Sequence, residues 1–135
     1  MTEEDKIKNE KCQKLPIVHR KKIEWKGGSR KGDVITLAYP DYSGEVSDWL
    51  HALYDLGLND MNCHDRYEEL DNQAKEQGKK ITELELSRDD ILAVMTYYTR
   101  AERFCGGVLA QYTEDGTLEE LGIRLREMTA QTGEE

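Results

Sequence analysis

Two arginines three residues apart are the first place to look for chemistry. In Arg100-Ala101-Glu102-Arg103, residues 100 and 103 are neighbours on one helix face, where paired guanidinium forks can clamp an anion. Glu102 lies between them, and Gly106-Gly107 follows, a break where a ligand can approach the backbone closely. Arg100, Glu102, Arg103, Gly106 and Gly107 are therefore the candidate anion- or ligand-binding residues. Helix geometry favours a plainer reading, a solvated face or an ion-pair network with acids such as Asp55.

The other reactive side chains make a weaker case. Cys63-His64, Cys12, Cys105, His19 and His51 are the possible zinc ligands, but a zinc site needs paired ligands a few residues apart, and that spacing is missing. Cys63 and Cys105 both fall on apolar stripes, where a free cysteine acts as a small hydrophobe. Cationic Arg100 and Arg103 would activate the Cys105 thiol, whereas a position near a helix C-terminus would oppose this, which leaves no case for a nucleophile. The carboxylate pairs (Glu68-Glu69, Asp89-Asp90, Glu114-Asp115, Glu119-Glu120) sit where capping or a solvated face explains them. No catalytic residue, metal or cofactor is assigned, and the protein is expected not to be an enzyme.

The elements that must position these residues follow from periodicity. Residues 2–14 are nearly all polar, with Ile7 and Leu15 the only apolar anchors, so residues 1–15 read as a basic arm, a frayed helix at most. Removing the arm is expected to cost little, with any loss fading in salt. Pro16 ends it. Ile17–Trp25 and Val34–Tyr39 read as the strands of a hairpin. Gly27-Gly28-Ser29-Arg30-Lys31-Gly32-Asp33 is its loop, and since a strand rather than a helix follows, it is not a phosphate loop.

Beyond Asp41 the period turns helical. Ser43 is a plausible cap for a helix carrying Val46, Trp49, Leu50, Leu53 and Tyr54 on one stripe, ended by Gly57. A surface helix over Cys63–Gln77 follows, with Cys63, Tyr67, Leu70 and Ala74 inward and Gly78 closing it. Ser87 caps the central helix, 88–105, whose stripe runs Ile91, Val94, Met95, Tyr98, Ala101 and Cys105, widened by Leu92 and Phe104. A short helix bears Val108, Leu109 and Tyr112. Thr117 and Glu120 form a capping box for a last helix that buries Leu118, Leu121, Leu125 and Met128.

The fold class is α+β, predominantly α: an N-terminal hairpin packed on four or five helices. One globular domain spans 16–129, and 130–135 fray.

Charge and composition limit the partners. The 135 residues carry a net charge of −9. Residues 1–32 hold 10 Lys/Arg and 5 Asp/Glu, or +5, and residues 33–135 hold 9 and 23, or −14. An acidic body repels a phosphate backbone, which makes nucleic acid an unlikely partner. The reverse idea, an acidic mimic of nucleic acid, ranks low. No apolar run is long enough for a membrane span. Three widely spaced cysteines and an acidic N-terminus lead us to expect a reducing, cytoplasmic setting. Trp25, Tyr39, Trp49 and Tyr54 cluster around the hairpin and first helix, and aromatics favour interfaces.

Arg100-Ala101-Glu102-Arg103-Phe104-Cys105 with Gly106-Gly107 resembles the Ala-Glu-Arg-Phe-Cys-Asp-Gly signature of a bacterial family of domains of unknown function, DUF6508. Asp41-Tyr42-Ser43 before Trp49–Tyr54 and Tyr67-Glu68-Glu69-Leu70 are similar to its upstream elements, so the likeness covers about residues 36–128. Gly106 stands where the family has Asp. The resemblance implies a fold and a bacterial or mobile-element setting, and no known reaction. The leading functional reading is a non-enzymatic interaction module whose partner is a protein or a second copy of itself. The alternative is a small-molecule or anion-binding enzyme at Arg100, Glu102 and Arg103.

Overall fold

The structure is a computed structural model that describes residues 2–28, 30–32, 34–35, 38–42 and 44–130. It is α+β and predominantly helical. Helix α1 (Glu3–Lys14) leads to four two-residue strands, β1 (Trp25–Lys26), β2 (Arg30–Lys31), β3 (Val34–Ile35) and β4 (Tyr39–Pro40). Helices α2 (Glu45–Asp55), α3 (Cys63–Gln77), α4 (Arg88–Glu102), α5 (Val108–Glu114) and α6 (Thr117–Ala130) follow, with a single 3-10 turn at Ile81–Glu83.

The strands form nested antiparallel ladders. β1 pairs with β4, Trp25 opposite Pro40, and β2 pairs with β3, Arg30 opposite Ile35. The register of the outer ladder, carried inward, is that of the inner one, so this is one interrupted hairpin turning near Gly32. The hairpin expected from composition is therefore present but much shorter. Residues 17–24 form no strand, and part of the expected glycine loop is β2. Ser29, Asp33, Thr36 and Leu37 from that expectation, and the proposed cap Ser43, lie outside the described residues, as do residues 131–135.

Helix α4 is the centre of the core. Ile91, Leu92, Ala93, Val94 and Met95 are all buried, because α3, α5 and α6 pack around it. Ser87 caps it by accepting the Asp90 amide, and the Asp90 carboxylate accepts the Ser87 amide in return. Trp49 and Leu53 anchor α2 in the same core, and Cys63, Leu70 and Ala74 anchor α3, which ends at left-handed Gly78 as expected. Helix α6 begins without the expected Thr117–Glu120 box: Thr117 is already helical, and its amide donates to the Asp115 carboxylate. Its inward side holds Leu118, Leu121 and Leu125, while Met128 is exposed rather than buried.

The N-terminal arm is the largest departure. Instead of fraying, α1 lies against α6. Cys12, Leu15 and Asn9 are buried, whereas Ile7 is exposed. Gln13 donates to the Arg126 carbonyl at 2.7 Å, and Arg126 donates to the Leu15 carbonyl at 2.7 Å. Arg88 reaches back to Asn9 at 2.9 Å and Asp5 at 3.1 Å. Polar side chains hold this helix, which explains why an apolar period did not reveal it. Among the described residues no helix is long and apolar enough to cross a membrane.

Candidate functional site

The end of α4 organises the region that the sequence singled out. The helix stops at Glu102 rather than 105, and its last amides tighten: Arg103 bonds to the Arg100 carbonyl, and Phe104 and Cys105 bond to that of Ala101. Gly107, at φ 101°, reverses the chain into α5. A side chain at 107 would stand 2.8 Å from the Trp25 ring, so glycine is required twice over, by conformation and by space. The reversal leaves Phe104 and Cys105 at its outer tip. Phe104 is 91% exposed and Cys105 is exposed, which overturns their expected place in the core stripe.

Glu102 turns inward at the same corner. One carboxylate oxygen accepts the Gly107 amide at 2.9 Å, and the other accepts the Leu109 amide at 2.9 Å and the Tyr42 hydroxyl at 2.7 Å. The Tyr42 hydroxyl in turn accepts the Ala110 amide at 3.0 Å. These are the orphan donors of the first turn of α5, so Glu102 and Tyr42 close that helix start between them. Burial, with the Glu102 carboxylate as hydrogen-bond partner, pushes the Tyr42 phenol well above its ordinary range. Tyr42 and Glu102 came from separate parts of the family-like sequence, and here they meet.

The two arginines do not form a fork on one anion. Arg100 donates to the Met61 carbonyl at 3.4 Å, on the α2–α3 connection. Arg103 instead lines a cleft of about 320 Å³ with Leu50, His51, Tyr54 and Asp55 of α2, Thr99 and Glu102 of α4, and Leu109 of α5. The expected pairing with Asp55 is not made: both residues line the cleft, without an ion pair between them among the described residues. Position 106 is open, since an added Cβ would meet only the Glu102 carboxylate at 3.7 Å. Asp55 was expected near these arginines and does share the cleft with Arg103, whereas His51 was missed as a cleft residue, because on sequence it looks like the solvated side of α2.

A second cleft, about 290 Å³, lies between the α3 end and the α5–α6 corner. Its floor is a tyrosine cluster, with Tyr98 and Tyr112 stacked at 3.9 Å and Tyr67 set edge-on to Tyr98 at 5.7 Å. Burial and the neighbouring phenols hold Tyr98 and Tyr67 protonated far above neutral pH. Lys75 in this cleft is paired with Asp71 at 2.9 Å. Among the described residues no three histidines, cysteines or acids group to hold a metal ion.

The family model described as a family of unknown function (DUF6508) matches residues 15–131. The match starts where α1 ends, so the docked arm precedes the family region. Comparison with curated proteins and with solved structures returned no match.

Proposed function

The chain belongs to the DUF6508 family, and from that premise we propose that it is a non-enzymatic protein-interaction module of the bacterial cytoplasm, with a second copy of itself as its simplest partner. The observation that carries this reading is Phe104, 91% exposed on the outside of the α4–α5 reversal, whose Gly107 lies against a half-exposed Trp25. Tyr39, paired across from Lys26, exposes its ring on the opposite face of the hairpin from Trp25, so it stands apart from this surface. Large aromatics held in water by a rigid corner cost solvation free energy in the free protein and recover it on contact, which is why they anchor interfaces. Trp49 and Tyr54, the other two aromatics of the expected cluster, serve the fold instead: Trp49 is buried in the core and Tyr54 is half-buried.

Chemistry has less support at this corner. Glu102 is engaged by three donors and so is not free to act as an acid or a base, while Arg100 reaches Met61 and Arg103 lines the cleft, so the two do not clamp one anion. Light scattering over a concentration series tests the proposal. The wild-type chain should show a mass rising towards the dimer, and Phe104→Ser should abolish the rise with Tm unchanged. A monomer at every concentration would remove self-association and leave only a different protein as partner.

A further inference from the structure

We propose that the cleft between α2 and the end of α4 binds a free hydrophobic α-amino acid, its carboxylate on Arg103, its ammonium on Asp55 and its side chain on the Leu50–Leu109 floor. The volume, about 320 Å³, suits a small ligand of this class. Leu50 is half-buried and offers apolar surface to a branched or aromatic side chain, with the fully buried Leu109 beneath it.

The charges choose the head group. Arg103 and Asp55 line one cleft without an ion pair to each other or to any other described residue, so each offers its charge to a ligand. A simple anion would gain Arg103 but meet Asp55, and a simple cation would do the reverse. A zwitterion satisfies both. Asp55 is also the last residue of α2, where the negative end of the helix dipole adds to its pull on an ammonium. Glu102 has no oxygen free to bond a ligand, since Gly107, Leu109 and Tyr42 take both, but its charge remains and adds to the pull on the ammonium. Thr99 is likewise committed, donating to the Met95 carbonyl at 3.0 Å. His51, exposed on α2, is the remaining polar side chain of the lining, and its ring has no hydrogen-bond partner among the described residues.

Calorimetric titration of the full chain tests this with leucine, isocaproate (the same side chain without the amine) and isoamylamine (without the carboxylate). Leucine should bind saturably, and each analogue should bind at least about tenfold more weakly, as expected for loss of one charge-assisted contact. Arg103→Leu and Asp55→Asn should each lower leucine affinity at least about tenfold with Tm unchanged, since both side chains are exposed. The proposal is overturned by no saturable binding of leucine, methionine or phenylalanine at about 10 mM, by isocaproate binding as well as leucine, or by indifference to Arg103→Leu. Failure here would leave the Phe104 surface untouched, because the two readings share no residue.

Discussion

At its first turn α4 is closed from every side. Ser87 and Asp90 cap each other's amides, Arg66 reaches Asp90 at 2.6 Å, Lys8 reaches Asp89 at 3.0 Å, and Arg88 ties in Asp5 and Asn9 of α1. At its last turn the one inward side chain, Glu102, closes the start of α5 rather than α4 itself, with three hydrogen bonds. The difference lies in how the task is distributed. Spread over many groups, the first end has no residue to spare for a surface. Concentrated in one carboxylate, the second end leaves Arg103, Phe104 and Cys105 free to face outward. An end held by one group should be fragile to one substitution, and an end held by many should yield by increments.

The largest single effect is thus expected from Glu102→Ala. It leaves the Gly107 and Leu109 amides and the Tyr42 hydroxyl to find water, at about 3 kcal/mol of stability by chemical denaturation. Its neighbour Arg103→Ala should stay within about 0.5 kcal/mol. Equal effects at 102 and 103 would break the contrast.

Deleting residues 1–14 removes the buried Cys12 and Asn9 and frees the Asp5, Asn9 and Gln13 contacts. It should cost about 2 kcal/mol, a fall in Tm of roughly 8 °C, and the loss should persist in high salt because part of it is burial. A loss that vanished in salt would return the arm to the loosely held charge tether that its composition suggests.

A smaller change, about 1.5 kcal/mol, is expected for Asp90→Asn. Burial alone would raise the Asp90 carboxyl, but hydrogen bonds from Arg66 and Ser87 hold it below the ordinary 3.8. A carboxyl lowered in the folded state contributes stability above that value and loses it as pH falls through the lowered one. Wild-type stability should therefore decline on acidification below about pH 4, and the decline should be shallower in the variant. An identical acid profile would remove Asp90 from the closure of the first end.

Thiol labelling sharpens the comparison without touching stability. Cys105, outside the second end, should react first. Cys63 is buried in the core, and Cys12 is buried beneath the first end with its thiol pushed up to about 11, so both should react slowly. Fast reaction of Cys12 would mean that α1 lifts readily.

Much of this was legible before the structure. Helix α3 was delimited at both ends because its inward residues and Gly78 obey one helical period. The start of α4 was legible from Ser87 for the same reason of local chemistry. Its end was not. Phe104 and Cys105 continue the apolar period in sequence, while the backbone leaves the helix at Glu102 under the pull of the α5 amides, a contact five to seven residues ahead. Docking of α1 was hidden because Gln13, Arg88 and Arg126 hold it with polar groups that read as solvated. At the site, Arg103 stood out by type, but its cleft is formed by α2. Asp55 was placed near the α4 arginines by its charge alone, and nothing in the spacing of His51 marks it as facing α4.

Hydrogen exchange of the full chain at low and at high concentration tests the interaction surface most directly. Concentration-dependent slowing is expected at residues 25–26 and 104–107, with α3 and the first half of α4 unchanged. Exchange independent of concentration, or slowing centred on α1 and the first turn of α4, would contradict it.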